Sequence, residues 1–345
     1  MIPIRNIYYM LSYAFQILQE KGYNNISTEE FDNTAELFSA ILAKGISLQL
    51  KRGLNKDYIE VREPLSAIKG KIDISDSIKT RSIMKSQLVC SYDEFSENSY
   101  FNKILKTTVL LLLKSDISKS RKKELKNLMM FFSNVDTLDI HSIDWHIKYN
   151  KNNQSYHLLL SICNLVIKGL LQTQQDGSSK LMSFIDEQRM CRLYEKFILE
   201  YFRKHYPSIS ANAEQIPWQL DDGVSDMLPI MQSDIMLKKG NRVLIIDAKY
   251  YTHTTQSQYD THTLHSANLY QVFTYVKNKE HELKDKEHTV SGMLLYARTD
   301  EEIQPDNTYL MSGNRIDVRT LDLNCDFVEI KGQLDSIAED FFAVV

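Results

Sequence analysis

At 345 residues the chain exceeds the usual span of one domain and predicts two, each large enough to bury its own core. Its 43% hydrophobic and 25% charged residues suit a soluble globular protein, and a formal net charge of −4 lacks the basic excess that tight, autonomous, non-specific DNA binding draws on. Four cysteines, Cys90, Cys163, Cys191 and Cys325, lie far apart without a CxxC or Cys/His metal pattern, so reduced thiols in a cytoplasmic protein are expected.

The opening MIPIRNIYYMLSYAF has no clean apolar core followed by a small-residue cleavage site and is not read as a secretion signal. Ile4, Ile7, Tyr8, Leu11, Phe15 and Leu18 fall on one face of a helix, with Arg5 and Asn6 available to cap and solvate it. A second helix is expected over 34–50. Residues 58–78 mix β-branched side chains with Pro64 and Gly70 and suggest short strands. Helical patterning returns over 98–132 and 156–171. The last of these, YHLLLSICNLVIKGLL, is short for a bilayer and contains Lys168, so it predicts a core helix and no membrane partner. Polar, glycine-containing TQQDGSSK (173–180) is the best linker candidate. The expected division is an N-terminal domain at 1–172, mainly helical with a small β element, and a second domain at 181–345.

Beyond the linker, Met190, Leu193, Tyr194, Phe197, Ile198 and Tyr201 mark one long helix. A hairpin follows in SDIMLKKGNRVLIIDAKYY (233–251), then a polar loop with several histidines (252–266), a helix (266–279) and a strand (289–298). This order predicts an α/β (α+β) fold with a mixed sheet flanked by helices.

Gly240-Asn241 suits a two-residue hairpin turn, because glycine accepts positive φ at the first central position. Lys239 then faces Arg242 and Asp234 faces Asp247. A turn at Lys239-Gly240 would instead set Asp234 diagonal to Asp247. Either register places both carboxylates on one face, and alternation adds Lys249 to it. Like charges this close need a neutraliser, and oxygen donors select a hard cation such as Mg²⁺. Phosphodiester hydrolysis suits such a set. Charges at a solvent-exposed strand end are the plainer alternative; the apolar VLII running straight into DAK weighs against it.

The succession SD, hairpin, DAK resembles the PD-(D/E)xK nuclease superfamily, with Ser233 where a proline often stands. IPIRNIYYMLSYAF (2–15), IKGKID (68–73), LIIDAKYY (244–251) and NLYQVFTY (268–275), in this order over nearly the whole chain, resemble McrC, the nuclease subunits of McrBC modification-dependent restriction systems. The resemblance implies a C-terminal Mg²⁺-dependent endonuclease of PD-(D/E)xK fold. Asp234, Asp247 and the backbone carbonyl of Ala248 would be its metal ligands, and Lys249 its catalytic lysine. It also implies an N-terminal domain that binds a McrB-like AAA+ GTPase ring and stimulates its GTP hydrolysis. The ring would recognise 5-methylcytosine in double-stranded DNA, and two McrC chains would be able to pair between two ring complexes. A regulatory subunit that keeps the nuclease fold as a scaffold, or a stand-alone RecB-like repair nuclease, are the alternatives.

Gln271 and Tyr275, four apart, are expected on a helix face separate from the stripe of Leu269, Val272, Phe273 and Val276, and so available to a cleft. Their spacing resembles the helix that follows DxK in RecB-like nucleases. Glu195 lies outside the apolar stripe of its helix, where it is either a solvated charge or, as the superfamily implies, a further acid at the metal site. His253, His262 and His265 have neither a helical i,i+4 partner nor a nearby cysteine, so zinc is not expected. Lys51, Arg52, Lys69, Lys71, Lys122 and Lys123 read as scattered solvent-facing charges.

Overall fold

The computed structural model describes the chain apart from residues 1, 16–17, 19–22, 24–25, 27–28, 30, 151–152, 176–186, 252–254, 259–260 and 344–345. It divides into two compact units, Phe31–Ser183 and the combination of Met1–Glu30 with Phe184–Val345.

The expected first domain, 1–172, is therefore corrected at its start. Helix α1 (Ile4–Ala14) belongs with the C-terminal residues. The nitrogen Nδ2 of Asn6 donates to the carbonyls of Leu323 at 2.9 Å and Cys325 at 2.8 Å, so Asn6 is a buried tie rather than a solvating cap. Tyr9 stacks on Phe327 with ring centroids 4.3 Å apart, and Tyr13 meets Phe197 edge-on at 5.5 Å. The helix stops sooner than its periodicity suggests: Phe15 is extended, and Leu18 is buried outside it.

In the unit of residues 31–183, helix α2 (Thr34–Arg52) begins at Asn33, whose side chain accepts from the Glu36 amide at 2.9 Å and satisfies one of the orphan donors of the first turn. Strands β1 (Asp57–Leu65), β2 (Lys71–Asp73) and β3 (Leu88–Ser96) form an antiparallel sheet in the order β1-β3-β2. Within 58–78 the final residues are not strand. They form α3 (Ile74–Lys79), started by Asp73 accepting from the Asp76 amide at 2.9 Å. Gly70, at φ +67°, lies so close to the Ser91 carbonyl and Tyr92 that no Cβ fits there. Helices α4 (Tyr100–Leu112), α5 (Lys119–Met129) and α6 (Tyr156–Gln175) complete the unit. Leu37, Ile41, Ile104, Leu105, Leu159 and Ile162, all fully buried, make its helical core. Residues 173–175 of the expected linker are the end of α6, and the rest of it lies outside the described residues.

The other unit continues with α7 (Glu187–His205), β4 (Ser210–Asn212), β5 (Gln215–Ile216), β6 (Met231–Gln232), β7 (Ile235–Lys239) and β8 (Arg242–Lys249). After them come β9 (Thr255–Gln258), β10 (Thr261–Leu264), α8 (Ser266–Glu282), β11 (Thr289–Ala297), β12 (Asn307–Met311), β13 (Asn314–Leu321) and α9 (Phe327–Phe342). Six strands form a mixed sheet in the order β12-β13-β11-β8-β7-β4, with β11 parallel to both β8 and β13. Helix α8 covers one face, while α7 and α9 pack on the other. Double coverage explains why VLII in β8 and MLLYA in β11 are apolar on both sides. Val272 and Val276 of α8 sit against Val243, Ile245, Leu294 and Ile316. The approach is close enough that a Cβ on Gly292 would lie 2.8–2.9 Å from methyl groups of Val276, Ile316 and Val272.

The expected histidine-rich loop contains a two-stranded ribbon, β9 with β10, among its described residues. His262 lies on β10 and His265 just before α8, while His253 lies outside the described residues. Among the described residues no helix is long and apolar enough to cross a membrane.

Candidate active site

The hairpin adopts the first of the two registers. Lys239 pairs with Arg242 and Ile235 with Ile246, turning at Gly240 with φ +60°. Asp234, immediately before β7, therefore reaches the position beside Asp247 near the end of β8. Ser233 is buried and held against the Glu214 backbone: its amide donates to the Glu214 carbonyl at 3.0 Å, and its hydroxyl accepts from the Glu214 amide at 3.3 Å.

Asp234 Oδ2 accepts a hydrogen bond from the Ala248 amide at 2.9 Å, so the strand that carries the second carboxylate also holds the first. Asp247 is only 1% exposed. Lys249 Nζ donates to its Oδ1 at 2.9 Å and lies equally near Oδ2. The ammonium straddles the carboxylate, but its direction to Oδ2 is poor, and that buried oxygen accepts no hydrogen bond.

Burial pushes the Asp247 carboxyl up to about 7, with Lys249 pulling it down and Asp234 adding to the rise. Burial likewise raises Asp234, against the opposing effects of Lys249 and the Ala248 amide. Asp234 and Asp247 also act on each other's ionisation. For Lys249, burial favours the neutral amine, but the Asp247 charge and hydrogen bond together with Asp234 outweigh it and raise the pKa. Two acids that resist ionising beside a firmly charged lysine, one with a buried oxygen that accepts no hydrogen bond, have the chemistry of a site for a divalent cation. No three His, Cys, Asp or Glu side chains among the described residues are grouped to hold a metal. A cation here would have to take Asp234 and Asp247, within the one or two carboxylates that Mg²⁺ usually takes, with the Ala248 carbonyl as a further oxygen.

Glu195 joins this neighbourhood from α7. Half-buried, it has its pKa raised by burial and then by the charge of Asp234. It lines a cleft of about 400 Å³ with Arg192, Lys196, Gln232, Ser233 and Asp234. Cys191, one turn earlier, donates to Glu195 Oε1 at 3.1 Å and faces the Ala248 carbonyl at 3.9 Å. Burial and the bond to Glu195 push its thiol up to about 12, keeping it a donor. The i,i+4 spacing of Cys191 and Glu195 was the available signal for this pair.

Tyr275 departs from its expected open face, while Gln271 stays half-exposed. Gln271 Nε2 does donate to the Tyr275 hydroxyl at 2.9 Å, but Tyr275 is buried in the same cluster as Val272 and Val276 instead of on a separate, open face. Another residue of α8, Asn268, makes the link between strand ends. Its Nδ2 donates to the Tyr296 hydroxyl at 3.0 Å, and its Oδ1 accepts from the Tyr251 hydroxyl at 3.2 Å. Tyr296 pairs with Lys249 across β11 and β8. Tyr251, two residues past Lys249, was legible by strand alternation, but Asn268 carried no pattern of its own.

A doubly covered mixed sheet that presents two buried acids and a lysine at a strand end defines an α/β protein with an acidic site at the end of its central strands. Residues 4–297 match the family described as McrBC 5-methylcytosine restriction system component, and the chain belongs to that family. It is 28% identical to the Type IV methyl-directed restriction enzyme EcoKMcrBC of Escherichia coli (strain K12), over 99% of this chain and 98% of that one. A refined half-complex from the tetradecameric assembly of Thermococcus gammatolerans McrB AAA+ hexamers with bound McrC is similar at 17% identity and a TM-score of 0.49, covering 97% of this chain and 76% of that one. The cryo-EM structure of the Thermococcus gammatolerans McrBC complex gives 19% identity and a TM-score of 0.39, covering 59% and 58%.

Proposed function

We propose that the chain is the Mg²⁺-dependent DNA endonuclease subunit of a McrBC-like restriction complex, and that it acts in the cytoplasm. It cuts methylated double-stranded DNA when activated by a McrB-like AAA+ GTPase, whose GTP hydrolysis it stimulates. The observation that carries the proposal is the convergence of Asp234, Asp247 and Lys249 on one sheet face, with the buried Asp247 Oδ2 lacking a hydrogen bond. Family membership and the methyl-directed restriction enzyme of E. coli support the choice of methylated DNA as substrate.

Asp234, Asp247 and the Ala248 carbonyl would hold the cation. When bound, it would polarise a phosphoryl oxygen and make a water easier to deprotonate. Lys249, charged at neutral pH, would place its ammonium beside the phosphoryl oxygens as negative charge builds on them. Glu195, on the cleft wall and within the field of Asp234, would accept a proton from an approaching water.

The test is cleavage of methylated plasmid by the chain together with the GTPase encoded beside it, comparing wild type with Lys249→Ala. Mg²⁺- and GTP-dependent double-strand cuts are expected from the wild type only, with GTPase stimulation the same in both. Stimulated GTP hydrolysis without cutting by the wild type would assign the chain to a regulatory role.

A further inference from the structure

We propose that α5, in the unit of residues 31–183, is a contact surface for the phosphate backbone of duplex DNA. The choice of DNA among polyanions rests on the function proposed above, whereas the affinity for a row of phosphates follows from the surface itself.

Lys119, Lys122, Lys123 and Lys126, with Asn127, line one concavity of about 360 Å³. Their spacing puts all four on adjoining rows of the helix, so the side chains converge instead of radiating around it. None of the four has an ion pair among the described residues. Two acids of this neighbourhood are engaged by Arg121: Glu124 at 2.7 Å, and Glu36 at 3.5 Å while it also accepts from the Ser118 amide and hydroxyl. Arg121 thus absorbs the local negative charge and leaves four ammonium groups crowded in one hollow. Like charges that share one hollow repel, and no acidic side chain among the described residues pairs with any of the four.

A polyanion would relieve the repulsion, and two features favour nucleic acid over a protein partner. Cores of protein–protein interfaces are depleted in lysine, so a hollow lined by lysines is poorly suited to be one. Duplex DNA, in contrast, presents one charge per about 1.7 Å of its axis, while Lys119 to Lys126 spans about 10 Å of helix, so all four ammonium groups find phosphates without competing. Lysine, as a compact point charge lacking the bidentate fork of arginine, suits sequence-independent contact. The chain as a whole is acidic, so this local surface supplies what its net charge of −4 withholds.

The experiment measures binding of the full chain to a short unmodified DNA duplex by fluorescence anisotropy, in EDTA so that no cleavage intervenes, over a salt series starting near about 50 mM. The variant carries Lys119→Ala, Lys122→Ala, Lys123→Ala and Lys126→Ala together, and a second variant carries arginine at the same four positions. The alanine variant is expected to bind about tenfold or more weakly, with the slope of log affinity against log salt shallower by about 3 to 4, at about 0.9 for each phosphate no longer neutralised. The arginine variant is expected to keep both. Unchanged affinity and slope in the alanine variant, equal loss in the arginine variant, or no salt-dependent binding by the wild type would overturn the proposal. So would a defect confined to binding of the GTPase partner, which would mark the surface as a protein contact. Because binding is read without metal, failure here leaves the nuclease assignment standing, and a chain that binds through α5 but never cuts would fail only that assignment.

Discussion

Asp234 takes its hydrogen bond from the Ala248 amide, so the position of one carboxylate is fixed by the residue immediately after the other, Asp247. This bond holds the Asp234 carboxylate at the strand that carries Asp247, against the repulsion of two like charges. Its cost is electrostatic and falls on Asp247, whose carboxyl is raised to about 7 by burial and by Asp234.

The folded state therefore binds this proton more tightly than the unfolded chain does, where an aspartate titrates near about 4. In that window the native state holds more protons, so stability contributed by this group falls as pH rises from about 4 to about 7. In EDTA the thermal midpoint is expected to be lower at pH 8 than at pH 5, and Mg²⁺ should recover the difference. Asp247→Asn should flatten both responses. Differential scanning calorimetry with and without Mg²⁺ checks this; a mutant that retains the wild-type pH slope would place its origin elsewhere.

Lys249 is the only countercharge that Asp247 touches among the described residues. Lys249→Met should leave a buried carboxylate without its partner and cost about 3 kcal/mol at pH 8. The cost should shrink at pH 5, where Asp247 takes up a proton instead. Calorimetric titration should still detect Mg²⁺ binding, while cleavage falls by about two orders of magnitude or more. Denaturation at both pH values, paired with the titration, separates this from general unfolding.

The hairpin was legible because its determinants are local. A glycine-containing turn sets the register, and alternation along VLIIDAK then decides which side chains share a face. The error at Tyr275 has an equally plain cause. Taking Leu269, Val272, Phe273 and Val276 as the stripe left out Tyr275, although it lies three residues from Val272 and next to Val276, and the sheet beneath α8 is broad enough to bury it. Strand β3 has no clear sequence signature, because its second half, YDEFS, is charged and Phe95 stays exposed, so it lacks the apolar alternation that marks a half-buried strand. The allegiance of α1 had no local signal at all: its partners Leu323 and Cys325 lie more than three hundred residues away in sequence.

That allegiance makes a truncation prediction. A chain starting at residue 181, the boundary suggested by the linker, would lack α1 and expose Phe197, Tyr201 and Phe327, which Tyr9 and Tyr13 cover. It is expected to lose cooperative unfolding, and restoring residues 1–30 by fusion should recover it. In the full chain, Asn6→Ala removes the donor to two carbonyls and should cost about 1–3 kcal/mol. Urea denaturation followed by circular dichroism measures each step.

Two glycines in the same unit should respond to alanine with opposite sign. At Gly292 the new methyl would meet Val276, Ile316 and Val272 at 2.8–2.9 Å. These are branched side chains on two different elements, so no single rotamer change clears the clash, and α8 must move off β11. Gly292→Ala should cost about 1–3 kcal/mol. Because Asn268 of α8 joins Tyr296 of β11, the shift should also lengthen the bridge beside Lys249 and weaken Mg²⁺ binding. Gly332, exposed on α9, has nothing within 4 Å of its would-be Cβ. Gly332→Ala should stabilise by about 1 kcal/mol through helix propensity alone and leave metal binding unchanged. Chemical denaturation of both variants with parallel Mg²⁺ titrations makes the comparison, and equal effects of the two substitutions would contradict the tight seat of α8 on the sheet.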